Sequence, residues 1–467
     1  MLAEKISFSR VEEDSLGQKT IIDNAYYGIH SLRAKENFTV SGYKLHPELI
    51  KALAIVKKAA ALANMKAGTL ERSKALAIAR AADEIINGKW HEYFIGEAIQ
   101  GGAGTGINMN ANEVIANRAL EILGYRPGTY DKLNPVDDVN YGQSTNDVIP
   151  TAIRIAAIRL LQRYVEANLL LVRTLREKAE EYKDAIKLGR THLQDAVPLK
   201  IGDELKAWAE AIRRDARRGE MAINLLVEVN LGGTAIGTGL NAHPHYREIV
   251  IEELRAASGI PQLRRAADLI DATQNLDVMV EVAGLLRAGA VTLTKIANDL
   301  RLLASGPMAG LAEIELPHLA AGSSIMAGKV NPIIPEVVNQ VCFKVFGNDL
   351  TISLAAAAGQ LELNVMQPVL AFALFESLGM LSEAINSLAL KAIKGMKFRL
   401  ERCENYVNSA LSLVTPLVPY IGYQAATRVA KQALASGKSI IDIVRELKLL
   451  PEGQARELLD PRHMLAN

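Results

Sequence analysis

Residues 151–185 read TAIRIAAIRLLQRYVEANLLLVRTLREKAEEYKDA, a run that no proline or glycine interrupts. Within it Ile155, Ile158, Leu161, Val165, Leu169, Val172, Leu175 and Ala179 recur every three or four positions, the period of one helix face. The spacing predicts one helix of about 35 residues, roughly 50 Å long at 1.5 Å per residue. Four more long patterns follow, over Asp203–Val229, Asn275–Ala304, Ile333–Ala357 and Asn364–Lys394. Rods of this length bury their apolar faces against one another, so a long central five-helix bundle is expected. Several stay apolar around much of their circumference, as at Leu285, Leu286, Ala288 and Val291, or Val369, Leu370, Phe372 and Leu374. One bundle cannot cover that surface, and association between copies is expected.

Outward from the rods the pattern breaks up. Residues 1–145 carry frequent turns around shorter helical patterns such as Glu48–Lys66 and Glu71–Ile86, with a small strand expected over Ile6–Val11. Residues 146–396 hold the rods, and residues 397–467 return to short helices and turns. The expected class is therefore mainly α, in three domains. Hydrophobic residues make up 49% and aromatics 5%, a mixture that suits packed helices better than sheets. Lys plus Arg is 53 against 52 for Asp plus Glu, so no basic field is available for nucleic acid. Cys342 and Cys403 lack metal-ligand spacing and suit a reducing compartment. The opening MLAEKISFSR has no apolar core of the kind a secretory leader carries, and no uninterrupted apolar run reaches membrane-spanning length. A cytoplasmic protein without membrane association is expected.

Four polar segments stand out. Gly322–Pro332 reads GSSIMAGKVNP, with hydroxyls at Ser323 and Ser324, a cation at Lys329 and an amide at Asn331. Its glycines allow movement over a ligand, and its side chains suit a carboxylate. Gly101–Asn110, GGAGTGINMN, puts a glycine cluster before a helical pattern, where backbone donors can face an anion. It lacks the ending of a phosphate loop. Gly142–Asp147, GQSTND, places Ser144, Thr145 and Asn146 at a helix entrance, where one cap would need only one of them. Gly189–Ala196, GRTHLQDA, carries Thr191 and His192.

GSSIMAGKVNP resembles the signature of the aspartase/fumarase superfamily, usually GSSIMPGKVNP, with Ala327 in place of the proline. The resemblance extends through the other three segments, from Asp14–Gly17 and Tyr26–Gly28 to Ile421–Tyr423. It implies a homotetramer whose central helices merge into one core, with each active site drawn from three subunits. It also implies elimination from a four-carbon dicarboxylate to give fumarate. No carboxylate or histidine cluster shows metal-ligand spacing, and no cofactor or metal is expected. Ser323 is the expected base, Lys329 and His192 its catalytic partners. Thr105, Ser144, Thr145 and Ser324 are expected to receive the carboxylate that takes up charge. Thr191, Lys329 and Asn331 should hold the other carboxylate, with His192 and Asn146 near the leaving group. Asn110 is carried over with Thr105 from the glycine segment. Glu336 resembles the acid that orients the histidine in fumarases.

GGAGT and QSTND are similar to the aspartase forms rather than the fumarase TGSGT and QSSND. Asn134 stands where fumarases typically carry a histidine at a secondary dicarboxylate site. Against this, Asp137-Asp138-Val139-Asn140 is similar to the fumarase string. Deamination of L-aspartate is the expected reaction. Class II fumarase chemistry, or a catalytically silent structural relative, is the alternative. Gly106, Met308 and Ala327 depart from the usual pattern, which typically has serine, arginine and proline there.

Overall fold

The computed structural model describes Ser9 to Leu465 and is mainly helical. It opens on an antiparallel pair, β1 (Ser9–Asp14) with β2 (Gly17–Ile22). Of the strand expected over Ile6–Val11, the part before Ser9 lies outside the described residues. Helices α1 (Ile29–Asn37), α2 (Pro47–Lys66), α3 (Arg72–Ile86) and α4 (Thr105–Ile122) follow. Pro47 fits the first turn of α2, and His46 caps it by accepting from the Glu48 amide through Nδ1 at 3.1 Å.

The five expected rods are all present. They are α5 (Thr145–Glu181), α6 (Ile201–Leu225), α9 (Asp277–Leu303), α10 (Ile333–Ala357) and α11 (Gln367–Ser387). Between α6 and α9 lie α7 (Pro244–Ser258) and the short α8 (Asp271–Gln274). The first rod begins before its expected start, with Pro150 inside it. Proline cannot donate to the carbonyl four residues back, which normally breaks a helix. Here that carbonyl, on Asn146, accepts instead from Asn230 Nδ2 at 3.0 Å. The rod also stops at Glu181, because residues 186–200 form a hairpin that helical periodicity does not signal. Strands β3 (Ile186–Thr191) and β4 (Gln194–Lys200) pair antiparallel.

By its own contacts the chain divides into two compact units. One takes the residues through Val165 with Arg217–Ala290 and Phe343–Leu381; the other takes Glu166–Ala216, Val291–Cys342 and the residues from Ser382 on. Within the first, Gly219 on α6 lies so close to α5 that a Cβ there would sit 2.6 Å from Val165 Cγ2. Arg287 on α9 pairs with Asp349 on α10 at 2.8 Å, and buried Asn348 donates to Ser377 Oγ on α11 at 3.0 Å. Within the second, Arg301 on α9 donates to Asn339 on α10 at 3.1 Å. Two-residue pairings are β5 (Glu228–Val229) with β6 (Arg264–Arg265), and β7 (Ile314–Glu315) with β8 (Lys397–Phe398).

The C-terminal helices are α12 (Leu400–Ser409), α13 (Val418–Ile421), α14 (Tyr423–Ser436), α15 (Ile440–Glu446) and α16 (Glu452–Leu458). Helices α14, α15 and α16 share a small core with Leu417, made of Val429, Ala433, Ile440, Ile443, Val444 and Ala455, while Val407 of α12 packs with Leu188, Ala410 and Leu413. Gln367–Ile393 is long and apolar enough to cross a membrane by length and composition, yet 67% of its most apolar stretch is buried inside the protein. It is a core rod.

Candidate active site

Two helix entrances meet in the first unit. Gly102, Ala103 and Gly104 all have left-handed backbone angles, φ 85°, 55° and 87°, and swing the chain sharply into α4. Thr105 is the first residue of that helix; it is exposed, and its hydroxyl donates to the Gly102 carbonyl at 2.8 Å. Asn108, one turn on, donates through Nδ2 to Thr145 Oγ1 at the start of α5, at 3.3 Å. Ser144 Oγ accepts from the Asn146 amide at 3.2 Å. The Asn146 side chain spends its NH2 on the Ala235 carbonyl at 2.8 Å, which leaves its oxygen as an acceptor for an ammonium group. The positive dipole ends of α4 and α5 make this a place for a carboxylate.

Beneath it lies a buried support. Asp147 is fully buried and accepts from the amides of Ser144, Gly232 and Thr234 at 2.9, 3.0 and 3.0 Å. Burial pushes its carboxyl up to about 6, with the three amides opposing. Lys57, 0% exposed, donates to Asn140 Oδ1 at 2.8 Å and Gln143 Oε1 at 3.0 Å; burial brings it down to about 7, with Asp147 opposing. Asn140 Oδ1 also accepts from Asn108 at 3.2 Å, so the chain of contacts ends on Thr145.

In the second unit, Thr191 and His192 stand at the tip of the β3–β4 hairpin, both exposed. Thr191 faces Gln194, leaving a two-residue turn in which His192 and Leu193 have φ of 55° and 62°. Such turns favour Asn or Gly, so a histidine and a leucine there are strained. The turn projects the imidazole clear of its own hairpin.

The serine segment is a small loop pinned at its neck. The Gly322 amide donates to the Lys329 carbonyl at 2.9 Å, and Asn331 Nδ2 donates to the Gly322 carbonyl at 2.7 Å. A Cβ on Gly322 would lie 2.5 Å from the Lys329 oxygen, so this glycine serves close approach; Gly328, at φ 78°, supplies the left-handed turn. Inside the loop, Ser323 Oγ accepts from the amides of Ile325 at 3.1 Å and Met326 at 2.8 Å. Donors on an oxygen favour its ionised form. Ser324 and Lys329 are exposed, as are Ile325 and Ala327 at the tip. Lys329 makes no ion pair among the described residues. Lys329, Asn331 and Glu336 line a cleft of about 510 Å³ with Arg301, His318 and Arg399.

Thus Thr105, Ser144, Thr145 and Asn146 come together, and so do Ser323, Ser324, Lys329, Asn331 and Glu336. His192 shares no hydrogen bond with Ser323 or Glu336 among the described residues. Asn110 is corrected: it is 1% exposed and holds the Tyr93 carbonyl and the Ile95 amide, a structural role. Sequence reasoning missed Asn108, Lys57, Asn140 and Asp147, and the loop that Asp147 grips. The run Leu231–Asn241, LGGTAIGTGLN, with its four glycines, was the available signal for that loop.

A family model described as Lyase matches residues 17–347, and one described as Fumarase C C-terminus matches residues 413–466. An aspartate ammonia-lyase of Bacillus subtilis (strain 168) is 50% identical over 455 residues, 97% of this chain and 96% of its own. That of Escherichia coli (strain K12) is 47% identical over 459 residues, 98% and 96%. A fumarate lyase:delta crystallin of Brucella melitensis, bound to cobalt, superposes with a TM-score of 0.95 at 48% identity, covering 98% and 99% of the two chains. A class II fumarase of Schistosoma mansoni gives 0.93 at 33% identity, covering 98% and 99%.

Proposed function

The chain belongs to the lyase family of the aspartase/fumarase superfamily, and from that premise we propose how it carries out its elimination. It is a carbon–nitrogen lyase that deaminates L-aspartate to fumarate and ammonia. Ser323, as the alkoxide, takes a proton from C3 of bound aspartate. The electron pair left on C3 is drawn into the neighbouring carboxylate, which becomes a doubly charged enediolate-like group. The C2–N bond then breaks, the C2=C3 double bond forms, and ammonia departs.

The observation that carries this reading is the pair of amides on Ser323 Oγ. A serine hydroxyl is a poor base in water, and each unit of pKa depression needs about 1.4 kcal/mol of preference for the anion. Lys329 in the same loop adds a charge, worth roughly 4 kcal/mol at 4 Å and an intermediate dielectric. The doubly charged carboxylate is received by fixed donors: Thr105, Ser144 and Thr145 at the helix entrances, with Ser324. Thr191, Lys329 and Asn331 hold the second carboxylate, with His192 and the Asn146 oxygen beside the amine. Glu336 orients the histidine. No cofactor enters these steps.

The working form in this reading is a homotetramer in the cytoplasm, each site completed by three copies. Phe343, Leu350 and Leu354 support it: they lie on one face of α10, each at least 59% exposed. Mixing tests the sharing. Ser323→Ala and Thr145→Ala tetramers, dissociated together and reassembled, should regain part of the parent activity, because some sites then contain neither substitution. Mixed assemblies as inactive as the separate variants would refute shared sites. Fumarate absorbance with L-aspartate and with L-malate tests the leaving group; turnover of malate alone would overturn the reading.

A further inference from the structure

Glu313 lies between two of the segments just assigned, and nothing above gives it a role. It is fully buried. Its carboxylate meets Arg190 Nη1 at 2.7 Å and Lys187 Nζ at 3.1 Å, both on β3 of the histidine hairpin. These are charge contacts rather than aligned hydrogen bonds. Lys187 also holds Glu204 on α6 at 2.9 Å, so two cations and two carboxylates balance.

Two residues three apart on a strand normally face opposite sides. The register irregularity between Leu188 and Arg190 bends β3 and lets both cations reach one carboxylate. Gly189 permits the bend: a Cβ there would lie 2.8 Å from the Val197 carbonyl oxygen. Arg190 comes two residues before His192.

The other side of the clamp is the stem of the serine loop. The Glu313 amide donates to the Leu303 carbonyl at 3.0 Å, and its own carbonyl accepts from the Arg399 amide at 2.8 Å. The Leu311 carbonyl accepts from Tyr406 Oη at 3.1 Å, and the Tyr406 ring lies 5.2 Å from the Arg190 guanidinium carbon. These contacts tie the stem to its neighbours, and ten residues further on the chain reaches Ser323. Among the described residues, Glu313 makes the only ion pairs between the hairpin and residues 303–332.

We propose that Glu313 is a positioning residue for the reaction, fixing the His192 hairpin and the stem of the Ser323 loop as one body. This rests on the roles given above to His192 and Ser323. A carboxylate needed only for stability would affect melting alone. One that aligns two working segments also affects the kinetics of molecules that remain folded.

The experiment compares Glu313→Gln, which keeps shape and removes charge, with Glu313→Asp, which keeps charge on a shorter arm. Kinetics are measured on the assembled enzyme below its melting transition, together with amide hydrogen exchange. Glu313→Gln is expected to lower kcat/KM for aspartate at least 30-fold, through both a lower kcat and a higher KM. It is expected to speed exchange in residues 189–197 and 311–332 together, and Glu313→Asp should restore part of both effects. If Glu313→Gln does not assemble, Arg190→Lys gives the same comparison with charge conserved. Kinetic constants within twofold of the parent, with only the melting temperature lowered, would overturn the proposal. Coupled exchange with unchanged kinetics would likewise overturn the positioning role, whereas failure of the roles given to Ser323 and His192 would show separately, as near-normal turnover by Ser323→Ala or His192→Ala. Exchange that rises in one segment alone would refute the clamp itself.

Discussion

The helix-entrance pocket and the serine loop both rely on short polar side chains, yet they are built in opposite ways. At the pocket, Asp147 and Lys57 are fully buried, and Asn108, Ser144 and Asn146 are each held by a hydrogen bond. At the loop, Ile325 is 88% exposed and the segment is tied at its neck by Gly322 and Asn331. The difference teaches where rigidity is needed. A receiver for developing charge works by not reorganising, whereas a base must close over its substrate and open again.

Four substitutions break or sharpen that contrast. Ser323→Ala should lower kcat at least about 100-fold, the usual reach of a positioned base, while the melting temperature stays at the parent value. Near-normal fumarate formation by the folded variant would remove Ser323 from the mechanism. Asp147→Ala should do the reverse, costing about 3 kcal/mol or more of stability by stranding three amides, those of Gly232 and Thr234 buried. A melting curve that matches the parent would show that the pocket is not held from beneath. Asn331→Ala releases the neck of the loop. A lost hydrogen bond of about 1 kcal/mol predicts a fall of roughly five- to tenfold in kcat/KM; an unchanged value would mean the neck is held without it.

The fourth substitution concerns pH. Burial disfavours the ammonium of Lys57, so between about 7 and its ordinary 10.5 the unfolded chain binds more protons than the folded one. Stability from this group therefore rises with pH across that window. Asp147 moves the other way: its folded form holds the proton more firmly, and its contribution declines between 3.8 and about 6, outside that window. The melting temperature of the parent minus that of Lys57→Met should grow from pH 7 to pH 10. A constant difference would mean Lys57 is not buried as a titrating group.

Much of this was legible in residue order. The five rods followed from spacing, because a three-to-four period and the absence of breakers act locally. Ser144 to Asn146 and Ser323 to Asn331 were visible because each cluster lies in one short segment. What escaped depends on contacts distant in sequence. Pro150 could sit inside α5 because Asn230, eighty residues later, takes over the freed carbonyl. Asn110 looked functional and Asn108 did not, since only packing decides which helix face turns toward Thr145 and which toward Tyr93. The hairpin beneath His192 was missed because its strands alternate poorly, and its strained turn lacks the usual glycine.

A structure of the assembled enzyme with L-aspartate bound and the loop closed tests the base assignment most directly. The account predicts Ser323 Oγ about 3–3.5 Å from C3, with the Ile325 and Met326 amides still directed at it. A closed loop that leaves Oγ far from C3, with another side chain against that carbon, would contradict it.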